Sequence, residues 1–139
     1  MNVDASNLIV GRLSSVLAKK ALGGEKINVV NAEKAGFSAE KEVLAKKWKM
    51  RIDLTAKGNP HMSPKWSRMP DKIVRKAIKG MLPTDKAPGR KAYANIKVFI
   101  GVPEELKNEK LETIESALND KKHNFVSVEE LSRALGANW

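Results

Sequence analysis

The chain has no cysteine, and its two histidines, His61 and His123, stand far apart. Without thiols there is no disulfide framework and no thiolate metal site, a composition that suits a reducing cytosol. Without histidines at ligand spacing there is no zinc motif, and no cofactor is expected. Aromatic residues make up only 5% of the sequence. The longest early apolar run is Leu8-Ile9-Val10, too short for a membrane span. Met1-Asn2-Val3-Asp4 lacks the basic and then apolar regions of a signal peptide, so an exported or membrane protein is not expected.

Acidic residues are scarce in one long stretch. Between Lys46 and Lys97 there is no Glu, and Asp53, Asp71 and Asp85 stand against 15 Lys/Arg, a balance of +12. The remainder holds 11 Lys/Arg and 13 Asp/Glu, so it is slightly acidic, and the whole sums to +10. A region this basic repels itself unless a polyanion neutralises it, and phosphate backbone is the commonest polyanion in a cell. A nucleic-acid face is therefore the first functional expectation.

What is present suffices for one modest core: 139 residues, 42% of them hydrophobic. The expectation is a single domain over 1–139, with a basic loop at 53–69 and a C-terminal extension at 104–139. Ile9, Leu13, Val16, Leu17 and Ala21 recur at helical spacing, and Gly23-Gly24 closes that run. Ile27 to Val30 reads as a short buried strand. Ser38 is placed to cap a second helix, with Glu40 and Glu42 in its first turn. Val43, Leu44, Trp48 and Ile52 continue that helix, and Lys46, Lys47, Lys49 and Arg51 gather toward its end. Trp48 shares a face with Leu44 and Ile52, which makes it a core residue.

From Asp53 to Met69 periodicity stops, and Gly58-Asn59-Pro60, Pro64 and basic residues fill a long loop. Pro70 suits the first position of a third helix, in which Ile73, Val74, Ala77, Ile78 and Met81 share one face. Lys72, Arg75, Lys76 and Lys79 form a second stripe at the same spacing. A turn is expected from Pro83 to Gly89, then a strand from Ala94 to Ile100, stopped by Gly101 and Pro103. Leu111 to Leu118 fits either helix or extended chain. Ser127-Val128-Glu129-Glu130 fits a capping box that starts a last helix through Leu135 to Gly136. Helices alternating with short apolar strands define an α/β sandwich around a mostly parallel sheet.

No catalytic constellation emerges. Gly23-Gly24-Glu25-Lys26-Ile27 follows a helix rather than a strand and lacks the hydroxyl residue that a phosphate loop places after its lysine. Gly36-Phe37-Ser38-Ala39-Glu40 misses the second glycine of a nucleophile elbow. Glu104 and Glu105 follow Pro103 as a helical first turn does. A charge stripe alone is usually a solvated face. Here, however, Lys57, Lys65, Arg68, Lys86, Arg90 and Lys91 extend the stripe into the loop and the following turn. The candidate interface is thus Lys49, Arg51, Lys57, Lys65, Arg68, Lys72, Arg75, Lys76, Lys79, Lys86, Arg90 and Lys91, with Trp66 among them. Trp66 either stacks on an unpaired base or folds back as an anchor on the core.

Several segments are familiar together: Gly11-Arg12-Leu13-Ser14-Ser15, Val29-Val30-Asn31-Ala32-Glu33, Pro70 through Lys79-Gly80-Met81-Leu82-Pro83, Pro88-Gly89-Arg90, and Val98-Phe99-Ile100-Gly101-Val102-Pro103. In this order they resemble the thirteenth large-subunit ribosomal protein family, over roughly Val3 to Pro103. The short start and the ending Val128 to Gly136 look like its archaeal branch. The resemblance implies a three-layer α/β/α sandwich around a small, mostly parallel sheet, and no enzymatic activity. It also implies direct binding to large-subunit rRNA, an early role in subunit assembly, and neighbouring ribosomal proteins as further partners, all in the cytoplasm. No membrane and no small-molecule substrate are implied. The family's basic helix falls on Lys72, Arg75, Lys76 and Lys79, and its basic turn on Arg90. Where many relatives have Val-Arg-Gly this chain has Ile78-Lys79-Gly80, and lysine keeps a phosphate contact without a bidentate fork.

Two other classes fit less well. A DNA-binding regulator would lay the basic helix in a major groove, but half of that helix is committed to a core and no helix-turn-helix stands beside it. A nucleic-acid enzyme would need clustered carboxylates for Mg²⁺, and the basic stretch offers three scattered Asp.

Overall fold

A computed structural model describes residues 1–119 and 124–139. Residues 120–123, among them His123, lie outside the described residues. The fold class is α/β, as expected. Strands β1 (Asn2–Asp4), β2 (Ile27–Val30) and β4 (Ile96–Val98) form a parallel sheet in the order β1-β2-β4. Strands β3 (Gly36–Ser38) and β5 (Phe125–Ser127) pair antiparallel in a separate ribbon. In the parallel sheet Val3, Val29 and Val98 stand in register, as do Ile27 and Ile96, so these side chains share one face. That face enters the core, where Val3, Ile27, Val29 and Ile96 are fully buried. The opposite row, Asn2, Asn28 and Lys97, is polar. Asn28 Nδ2 donates to Asn2 Oδ1 at 2.9 Å, and the Asn2 amide donates to Glu109.

The first helical period becomes α1 (Val10–Leu22), which buries Leu13, Leu17 and Ala21. It ends where Gly24 takes a φ of +93°, a conformation in which a side chain is strained. The Val29 to Glu33 motif is a structural clasp. Asn31 adopts φ 54°, which asparagine tolerates, and its Nδ2 donates to Asp4 Oδ1 at 2.9 Å. Burial raises the Asp4 pKa, but hydrogen bonds from Asn31 and Ser6, with the charge of Lys34, outweigh burial and hold it below the ordinary carboxylate value. Buried Glu33 accepts the Gly101 N–H at 3.0 Å, tying the end of β2 to the loop after β4.

Helix α2 (Lys41–Asp53) buries only Trp48 among its own residues. Ser38 does not cap it: that residue closes β3, and Glu40 occupies the cap position without a side-chain bond. The loop expected after α2 contains one 3-10 turn, Pro60–Met62. Helix α3 (Pro70–Gly80) starts on its proline as expected and buries Ile73, Val74 and Ile78. Met81 falls past the last turn and is 44% exposed, so it leaves the core face assigned to it by spacing.

The expected turn from Pro83 to Gly89 is corrected in its second half. Helix α4 (Ala87–Ala94) begins there, with Pro88 in its first turn, and Arg90 is helical. Consequently β4 starts at Ile96, two positions later than the sequence suggests, and ends at Val98. Gly89 is buried inside α4, and a Cβ there would collide with the Pro83 carbonyl. Gly89→Ala is therefore expected to lower stability by about 1–3 kcal/mol through forced repacking of that turn, measured by thermal melting.

Residues 111–118 are mostly extended, with isolated bridges at Glu112 and Leu118 and a 3-10 turn at Glu115–Ala117. Ser127 caps α5 (Val128–Ala134) as expected, accepting the Glu130 N–H at 3.1 Å. Buried Ser132 on α5 donates to the Arg68 carbonyl at 2.7 Å, and Trp139 Nε1 donates to Ser132 Oγ at 2.9 Å. This strap fixes the end of the basic loop to the body of the domain. No described helix is long and apolar enough to cross a membrane.

Candidate nucleic-acid interface

Helix α3 divides its circumference as its sequence does. Ile73, Val74 and Ile78 face the core, while Lys72, Arg75 and Lys79 are exposed and Lys76 is half-buried. The Pro70 start sets the register, and the period of 3.6 residues carries the two stripes to opposite sides. Beside the basic stripe lies an open concavity of about 450 Å³, lined by Lys65, Ser67, Lys72, Arg75, Lys76, Lys79 and Tyr93. No carboxylate lines it.

Tyr93 organises one wall. The Arg75 guanidinium carbon is 4.8 Å from its ring centroid and the Lys79 ammonium 5.8 Å. Sequence reasoning missed this residue because it sits in the missed helix α4. The available signal was a lone tyrosine two positions after Lys91. Behind the concavity, outside its lining, Trp66 is half-buried and packs edge-on against Trp48, with centroids 5.3 Å apart. Trp66 is thus anchored on the core side, and two cations cover its ring: Lys76 Nζ at 3.3 Å and the Arg51 guanidinium carbon at 4.8 Å. Burial, then repulsion from Arg51 and Lys79, lowers the Lys76 pKa below the usual lysine value.

The structure brings Arg51, Lys65, Trp66, Lys72, Arg75, Lys76 and Lys79 into one neighbourhood. Other predicted residues sit around it. Lys86, Arg90 and Lys91 are exposed at the start and along α4, and Arg90 Nη1 reaches the Asp85 carbonyl at 3.5 Å. Lys57 and Arg68 are exposed in the loop. Lys49 lines a separate groove on α2 with Lys46, Met50, Asp53, Leu54 and Thr55. Among the described residues, ion pairs join Lys41 to Glu130, Lys107 to Glu104 and Arg133 to Glu129, and none uses a cation between Lys46 and Lys97. Among the described residues the basic surface is thus left without ion-pair partners. Among the described residues no three metal-ligating side chains gather.

An α/β protein with a basic helix beside a concavity that no carboxylate lines has the electrostatic footprint of the class of basic nucleic-acid-binding proteins. The particular family follows from comparison with known proteins. The model of the family described as "Ribosomal protein L13" matches residues 1–105, so the chain belongs to that family, whose members are structural ribosomal proteins and not enzymes. It is 45% identical over 138 residues to the large ribosomal subunit protein uL13 of Methanococcus maripaludis, covering 99% of this chain and 98% of the relative. It is 38% identical over 138 residues to that of Methanosphaera stadtmanae, covering 99% and 97%. With uL13 of Archaeoglobus fulgidus the identity is 42% over 137 residues, covering 96% and 86%. The archaeal character suggested by the two ends of the sequence agrees with these relatives.

Proposed function

We propose that this protein is a cytoplasmic constituent of the large ribosomal subunit that binds large-subunit rRNA directly and early in assembly. The observation that carries the reading is the concavity beside α3, with its five cations and no carboxylate, set in a stretch that forms no ion pair among the described residues. Lys72, Arg75, Lys76 and Lys79 are the principal phosphate contacts. Lys65, Arg68 and Lys57 extend them along the loop, and Lys86, Arg90 and Lys91 along α4. Lys49 and Arg51 mark the side toward α2. Val43 and Met50 on α2 and Leu54 just after it are more than half exposed, which suits contact with neighbouring ribosomal proteins.

Binding to naked large-subunit RNA, with no other ribosomal protein present, is what an early role requires. The salt dependence of that binding is the test. Each neutralised phosphate contributes about −0.7 to −0.9 to the slope of log affinity against log salt, so the four α3 cations alone give a slope of about −3. A flat dependence would contradict the proposal. Structured RNA is expected to outcompete duplex DNA at matched salt.

A further inference from the structure

The concavity beside α3 accounts for phosphate contacts but not for the rings behind it. Between α2 and α3 lies a separate cavity of about 340 Å³, lined by Phe37, Trp48, Trp66, Ile73, Ala77 and Gly80, with Arg51 and Lys76 also on its lining. Phe37 and Trp48 are tilted with centroids 6.3 Å apart, and Trp48 and Trp66 meet nearly at right angles, so the walls present aromatic surface in several directions. Its size falls within the roughly 300–1,000 Å³ range of small-molecule pockets.

We propose that this cavity receives one unpaired nucleotide of the bound RNA, its base against the indole rings and its phosphate on Arg51 and Lys76. The inference rests on the RNA-binding reading and names a subsite within it. Two features must be satisfied together: apolar aromatic walls and two cations with no carboxylate in the lining. An apolar side chain from a protein neighbour satisfies the rings and leaves the cations without a counter-charge. A bare backbone phosphate satisfies the cations and leaves the rings unused. A nucleotide supplies a flat aromatic face and an anion in one ligand, and stacking of this kind is tolerant of base identity.

In the free protein the cations hold the place of the ligand. Lys76 covers the Trp66 ring and donates to the Lys65 carbonyl at 3.4 Å, a weak tether. It is partly desolvated and repelled by Arg51 and Lys79, costs that an arriving anion offsets. Swinging toward the phosphate uncovers the indole face for the base.

The test uses the full chain, purified large-subunit RNA and two small probes. Adenosine 5′-monophosphate is expected to quench tryptophan fluorescence saturably, and ribose 5-phosphate is not. Trp66→Leu, which keeps apolar volume without a stacking face, is expected to bind the RNA about 5- to 100-fold more weakly than the parent, while Trp66→Phe stays near it. If the parent fails to bind large-subunit RNA, the functional reading falls and the subsite with it. If the parent binds, Trp66→Leu binds equally well and both probes behave alike, the subsite alone is overturned. Loss of subunit incorporation by Trp66→Leu with RNA affinity intact assigns the cavity to a protein side chain and also overturns it. Should Trp66→Leu not fold, the comparison of the two probes on the parent decides.

Discussion

Changing Lys72, Arg75 and Lys79 together to Glu is expected to weaken binding to large-subunit RNA by roughly a thousandfold or more at constant salt. Hydrogen bonds to charged groups are worth about 1.5–3 kcal/mol each, and here three attractive contacts become repulsive. Folding should lose far less. The three side chains are exposed and form no ion pair among the described residues, and surface substitutions typically shift stability by about 0.5 kcal/mol or less. The contacts of Arg75 and Lys79 with Tyr93 add a loss of about 0.5–1 kcal/mol each at exposed sites, partly offset by relief of repulsion among the cations. Filter binding and thermal melting on the same preparation check both halves. A variant that binds like its parent would remove α3 from the interface.

Ile78→Ala is the complementary change on the other side of the same helix. Ile78 is fully buried, so truncation removes transfer free energy and leaves a cavity, costing about 2–5 kcal/mol. For a domain of this size that lowers the melting temperature by roughly 8–20 °C. At temperatures where the variant is folded, its RNA affinity should match the parent's, because none of the basic side chains has changed. Unaltered melting would show that the inner face of α3 is assigned wrongly.

The division between these two experiments was legible in the sequence because α3 obeys two rules at once. A proline fixes its start, and apolar and basic residues repeat at the same helical period on different faces. The strands were harder. β1, β3 and β5 are three residues each, too short for alternation to register, and their pairing is decided by partners distant in the chain. Helix α4 was hidden by Pro88 and Gly89, which together look like a turn. In the fold the proline occupies a first-turn position where its missing N–H costs nothing, and the glycine is required by the closeness of Pro83 rather than by any bend. Trp66 shows the limit most clearly. Its neighbours in sequence are polar or basic, while the contact that decides its placement is with Trp48, on another element. Local pattern carries no information about that contact. The candidate interface was therefore legible as a charged set with Trp66 among it, while the contacts behind that ring emerged only in three dimensions.

The strap from α5 to the basic loop has a consequence for the order in which the molecule is made. Translation proceeds from the N-terminus, and Ser132 is synthesised 64 positions after Arg68, whose carbonyl accepts its buried hydroxyl. β5, the partner of β3, also belongs to that late segment. A nascent chain that already displays every cation of the 46–97 stretch thus lacks the Ser132 tie at Arg68, and β3 has only its bridge from Gly36 to Ile9. The basic surface is chemically complete early and gains its last tie late, so the shape of that surface distinguishes a finished chain from an unfinished one.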